Sequence, residues 1–153
     1  MKLCQSKQFA RCLIGGMIFM MVVVAALLLT LPWSITWITE RTPDDPEGLY
    51  IKYLVVLACS GVMAELIFWQ ARGILCNATR GCIFSSDTVR RLRVAAVEIL
   101  ALGVFYGATM FWIHKFFMAF LFVVLVLACC FALVIAEAFR QAIAYKEEND
   151  MTI

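Results

Sequence analysis

Three acidic residues interrupt long apolar stretches of this chain: Glu65, Glu98 and Glu137. An ionisable group in hydrocarbon is costly, so it faces a protein interior or pairs with another group, and such positions mark ion pairs, proton relays and transport pathways. Arginines of similar depth stand ready as partners: Arg11, Arg72, Arg91, Arg93 and Arg140. Each glutamate falls within about two helical turns of the same end of its apolar stretch, so the three are expected to share one polar layer. The preferred reading is a layer of ion pairs that fixes helix register. A polar platform that docks a partner is the second reading, and an ion or proton route is the third. No matching acids occupy the other half of the apolar stretches, which argues against a route.

Other chemistry is sparse. Cys76 and Cys82 stand close together but without histidine partners or a second pair, a weak pattern for zinc. The remaining five of the seven cysteines read as small packing residues or isolated thiols. His114 has no nucleophile or carboxylate constellation around it, and no phosphate loop or triad is visible. Neither an enzyme nor a cofactor or metal site is expected. Asn77-Ala78-Thr79 is a glycosylation sequon in form only, because it falls on the side read below as internal.

The elements that carry these residues follow from composition. Of 153 residues, 64% are hydrophobic and 16% charged, with a mean hydropathy of +0.91. Soluble domains are closer to half apolar and about a quarter charged. Four apolar runs, about 12–31, 51–71, 94–113 and 116–136, are each long enough to cross a hydrocarbon core of about 30 Å. The chain reads as one all-α membrane domain, a four-helix bundle of two antiparallel hairpins. Ser34–Leu49, with Pro43, Pro46 and four acids, reads as an exposed loop flanked by Trp33, Trp37, Tyr50 and Tyr53 as an aromatic belt. Only His114 and Lys115 separate the third and fourth runs.

Position of charge sets the orientation. The termini and the central stretch Arg72–Arg93 hold ten of the 13 lysines and arginines; the opposite side holds Arg41, Lys52 and Lys115. The positive-inside rule places both termini in the cytoplasm. The central stretch carries helix signals of its own. The second helix continues to Arg80, and Gly81 fits the left-handed residue that ends a helix. Ser85 is the N-cap of the next helix, with Asp87 in its first turn and Phe84 and Val89 at staple spacing. Nothing breaks the fourth helix between Glu137 and Asn149, where Phe139, Ala142, Ile143 and Lys146 share one face. Helices 2, 3 and 4 are thus expected to extend into the cytoplasm. Gly103 and Gly107, and the stripe Ala128, Ala132 and Ala136, permit close helix approach. Packing within the chain is the preferred use, and a homo-oligomer stays open.

Gly81-Cys82-Ile83-Phe84, then Val89-Arg90-Arg91-Leu92-Arg93, and a Tyr145-Lys146-Glu147-Glu148-Asn149-Asp150-Met151-Thr152-Ile153 ending on a four-span chain resemble the bacterial domain-of-unknown-function family 2975. Its members commonly end in a Glu-Glu-Asn-Asp-Leu-Thr-Ile-like tail and have a Gly-x-Pro-Phe-like turn before an Arg-Leu-Arg helix start. Cys82-Ile83 departs from the usual Lys/Pro-type turn, and Met151 replaces the usual Leu. The resemblance implies a bacterial inner-membrane protein. It also implies a partner, because the family's gene often lies beside one for a small helix-turn-helix regulator.

The expected function is binding and control of such a regulator, with no direct contact to nucleic acid. Arg80, Arg90, Arg91 and Arg93 would meet acidic surface on the partner. Phe139, Ile143 and Tyr145 would supply apolar contact, and Glu147, Glu148, Asn149 and Asp150 would enter its groove. Anionic membrane lipid accounts for part of the basic surface. The alternative is a small transporter or permease-like subunit using Glu65, Glu98 and Glu137.

Overall fold

A computed structural model describes residues 2–39, 46–111 and 115–151. Four α-helices account for nearly all of them: α1 Lys2–Thr39, α2 Pro46–Thr79, α3 Ser86–Thr109 and α4 Lys115–Met151. No strand occurs among the described residues. All four helices are long and apolar enough to cross a membrane. Large apolar side chains point outward along each of them, including Leu29, Trp69, Val97 and Phe131. In water such a surface would aggregate; in hydrocarbon it is the solvated face. The chain is a multi-pass, all-helical membrane protein.

Successive helices pack on one another: α1 on α2, α2 on α3, and α3 on α4. Small residues mediate two of these contacts. Gly61 lies under the side chain of Leu28, and Gly103 and Gly107 lie against Leu125 and Phe122 of α4. The G-x-x-x-G pair therefore packs within the chain, as expected, and buried Ala95, Ala96 and Ala136 extend the close approach. The antiparallel order brings Lys2, the α2–α3 turn and Met151 to one end, here the arginine end. At the opposite, far end all four helices border an apolar pocket of about 400 Å³ lined by Ile35, Tyr53, Leu57, Tyr106 and Met118 among others.

Two boundaries differ from those read in the sequence. Ser34–Leu49 is not a loop throughout, because α1 runs on to Thr39 and α2 begins at Pro46. Pro32 sits inside α1, where the hydroxyls of Thr30, Ser34 and Thr36 donate to the carbonyls of Ala26, Thr30 and Pro32. Those bonds satisfy the three hydroxyls within their own helix in an apolar medium. Pro46 occupies a first helical position, where its missing N–H has no role. Residues 40–45, with most of the acidic stretch, lie outside the described residues. The second difference is at the α3–α4 connection. α3 stops at Thr109, whose hydroxyl bonds back to the Tyr106 carbonyl, and Lys115 is already helical. His114 lies outside the described residues.

Candidate functional site

The arginine end is built around the α2–α3 turn. Gly81 has φ +76°, the left-handed conformation expected of it. Its N–H donates to the Ala78 carbonyl at 3.2 Å, and that of Cys82 donates to the Asn77 carbonyl at 2.9 Å. These two bonds are the Schellman pattern that satisfies the last carbonyls of a helix. Four residues after Gly81 the Ser85 hydroxyl accepts the Thr88 N–H at 3.3 Å and caps α3.

A clamp that the sequence did not announce holds the two helices in this relation. The Asn77 side-chain amide donates to the Asp87 carboxylate at 2.9 Å and to the Thr88 hydroxyl at 3.1 Å. Thr88 is fully buried, so these bonds satisfy a polar group that has no access to water. The Asn77 amide and the Arg91 guanidinium, which donates at 2.8 Å, hold Asp87 below the usual carboxylate range. Arg91 also lies across Gly73, where a β-carbon would collide with its guanidinium. The sequence signal was present, because Asn77 sits in the last turn of α2 and Thr88 in the first of α3. Only the turn geometry shows that they meet.

The expected single face of arginines is divided. Arg80 and Arg91 line a cleft of about 250 Å³ between α2 and α3, together with Trp69, Arg72 and Asn77. Arg90 and Arg93 line a larger groove of about 570 Å³ between α3 and α4, opposite Arg140 and Ile143. α3 turns by about 100° per residue, so neighbouring arginines along it must look in different directions. Arg90 reaches both sides, bordering a third cleft with Trp69, Gln70, Asp87 and Arg91.

The three glutamates are not level. Glu137 receives Arg140 Nε at 2.9 Å and Arg93 at 3.8 Å. Glu98 lies five residues beyond Arg93 along α3, about 7.5 Å deeper, and accepts from the Gln70 amide of α2 at 3.4 Å. Asn77 and Thr88, which touch across α2 and α3, set the register, and from them Glu65 lies about 3 Å deeper than Glu98. The acids do not form one layer: Glu65 and Glu98 lie close in depth, and Glu137 lies nearer the arginine end, level with Arg93. Ion pairing accounts only for Glu137 among the described residues. There, too, Glu65 Oε1, Glu98 Oε2 and Arg72 Nε are buried without a hydrogen-bond partner, and Arg72 stands 5.6 Å over the Trp69 ring. Gln70 was not singled out in the sequence; its place opposite Glu98 depends on the α2–α3 register.

The apolar docking residues also separate. Phe139 stacks on Phe84 of the turn, with centroids 5.3 Å apart and planes at 31°, so it holds the molecule together. Ile143 lines the α3–α4 groove, whereas Tyr145 is 70% exposed. Lys146, Glu147, Glu148 and Asn149 are exposed on the same helical end, and Asp150 continues the helix. Ser86 and Ile143 border the same groove, so Tyr145–Met151 projects about 10 Å past the start of α3. Cys76 and Cys82 are free thiols, and the described residues contain no cluster of metal-ligating side chains.

Neither a curated protein nor a solved structure matches the chain. Residues 34–153 match the family described as "Protein of unknown function (DUF2975)". That span takes in α2, α3, α4 and the whole α2–α3 turn. With most of its length inside the match, the chain belongs to that family.

Proposed function

We propose that this protein tethers a small cytoplasmic helix-turn-helix regulator at a bacterial inner membrane and controls its availability for DNA. The observation that carries the reading is the projecting end of α4. It leaves the membrane-spanning region as an unbroken helix and presents Tyr145 to solvent beside Lys146, Glu147 and Glu148. A solvated helix end with an aromatic anchor suits capture in a groove of a soluble protein. Arg80, exposed at the turn, adds a basic contact for acidic surface on the partner. The distribution of lysine and arginine supports a cytoplasmic position for this end.

Deleting Tyr145–Ile153 tests the proposal, because the groove, the turn and the packed helix pairs all lie before that segment. Co-purification of the regulator and its reporter output should both change. If both are unaffected in a variant that folds as the parent does, the tethering role is wrong.

A transport reading has one observation in its favour, the buried unpartnered oxygens of Glu65 and Glu98. Against it, α1 carries no charge from Cys12 to Thr39, α3 none from Ile99 to Thr109, and α4 none from Phe116 to Ala136. A polar route from the arginine end therefore stops partway. Proton or ion flux in liposomes that fails in Glu65→Gln and Glu98→Gln would restore this reading.

A further inference from the structure

We propose that the groove between α3 and α4 seats one anionic phospholipid, its phosphodiester on Arg90, Arg93 and Arg140 and its acyl chains along α3. The groove's volume, about 570 Å³, falls in the range of about 300–1,000 Å³ found for ligand clefts. Its charge is unbalanced by one. Glu137 is shared between Arg93 and Arg140, and Glu98 is drawn toward Gln70 on α2. Arg90 is exposed and makes no ion pair within 4 Å among the described residues; the Asp87 carboxylate it also acts on is bound to Arg91 on the other side of α3. Three guanidiniums against two carboxylates leave a net charge of one, the charge a phosphodiester neutralises.

The walls decide between a lipid and a free anion. Val89, Val94 and Val97 line the groove, and from its inner edge an outward apolar stripe continues along α3 through Leu100 and Val104. Val97 is 65% exposed, on a helix apolar enough to span the membrane. A cationic end that runs directly into a lipid-facing stripe matches an amphiphile. A small inorganic anion would use only the first half of the site. The cleft on the other side of α3 has arginines but not this continuity, and its Arg91 is already bound to Asp87.

Native mass spectrometry of the full chain in detergent, titrated with phosphatidylglycerol or phosphatidylcholine of equal chain length, tests the proposal. One phosphatidylglycerol should be retained, about tenfold or more tighter than phosphatidylcholine. Arg90→Gln with Arg93→Gln should abolish most of that preference. Arg90→Gln alone breaks no described ion pair and should move in the same direction. Val97→Trp fills the apolar wall without changing charge and should also weaken retention. Arg11→Gln with Arg80→Gln removes the same charge from the same end outside the groove and should leave retention unchanged. Equal retention of the two lipids overturns the proposal, as does equal loss in the control pair. Displacement by inorganic phosphate at matched concentration overturns the acyl-chain half. The Tyr145–Ile153 deletion should retain the lipid, so failure of the tethering role leaves this site standing.

Discussion

The amide of Asn77 donates to both Asp87 and Thr88, so one side chain in the last turn of α2 fixes the first turn of α3. Removing it leaves Thr88, which is fully buried, with Ser85 as its remaining side-chain partner. Asn77→Ala should therefore lower stability by about 1–2 kcal/mol, read from thermal or denaturant unfolding in micelles. The same contact carries a pH signature. Asp87 is held low by Asn77 first and by Arg91 second, so its folded-state value lies below its unfolded one. Its contribution is complete above the unfolded value near 4 and is lost as the pH falls through the folded value. Melting temperature followed from about pH 6 to about pH 3 should drop less steeply in Asn77→Ala and in Asp87→Asn than in the parent. A parallel acid limb in all three would remove Asp87 from the account.

At the scale of helices, the glycines separate into two classes that substitution can tell apart. A β-carbon on Gly107 would stand 3.2 Å from the Phe122 ring, and one on Gly103 would stand 3.3 Å from Leu125. Gly103→Ile or Gly107→Ile should push α3 from α4 and lower stability by about 1–3 kcal/mol. A β-carbon on Gly15 or Gly16 would meet nothing within 4 Å, so alanine there should not destabilise and, by helix propensity, should raise stability by up to about 1 kcal/mol. Much at this scale was legible in the sequence. The Ser85 cap, the Gly81 stop and the unbroken run of α4 are local signals that the backbone must obey. The continuation of α1 past Pro32 was not legible, since proline removes a helical N–H and commonly ends a helix, although membrane-spanning helices tolerate it. Nor was the Asn77 clamp, which joins residues on two helices. The division of the arginines followed from helix rotation, but only the positions of α2 and α4 say what each one faces.

For the whole molecule, the antiparallel packing brings the α2–α3 turn and the end of α4 together, and the charge distribution supports a cytoplasmic position for that end. Cys82 is exposed at the turn. In sealed vesicles of known orientation, a membrane-impermeant maleimide should label Cys82 from the same side that exposes a tag at the end of α4. That side should be the cytoplasmic one. Labelling of Cys82 from the opposite side to the tag would contradict the four-span arrangement, and labelling of both from the periplasmic side would reverse the orientation. The separation of Glu137 from the two deeper glutamates belongs to this scale too. It depends on three helix registers at once, which no single stretch of sequence encodes.

The order of packing also bears on biosynthesis. Each helix finds its neighbour in space next to itself in the chain. A nascent polypeptide entering the bilayer can dock α2 as soon as it follows α1, then α3, then α4, with no arm waiting for a distant mate. Short-range pairings of this kind close small loops and favour rapid assembly. On that order the Gly103–Gly107 surface, covered by Leu125 and Phe122 in the folded chain, would meet lipid only between insertion of α3 and arrival of α4.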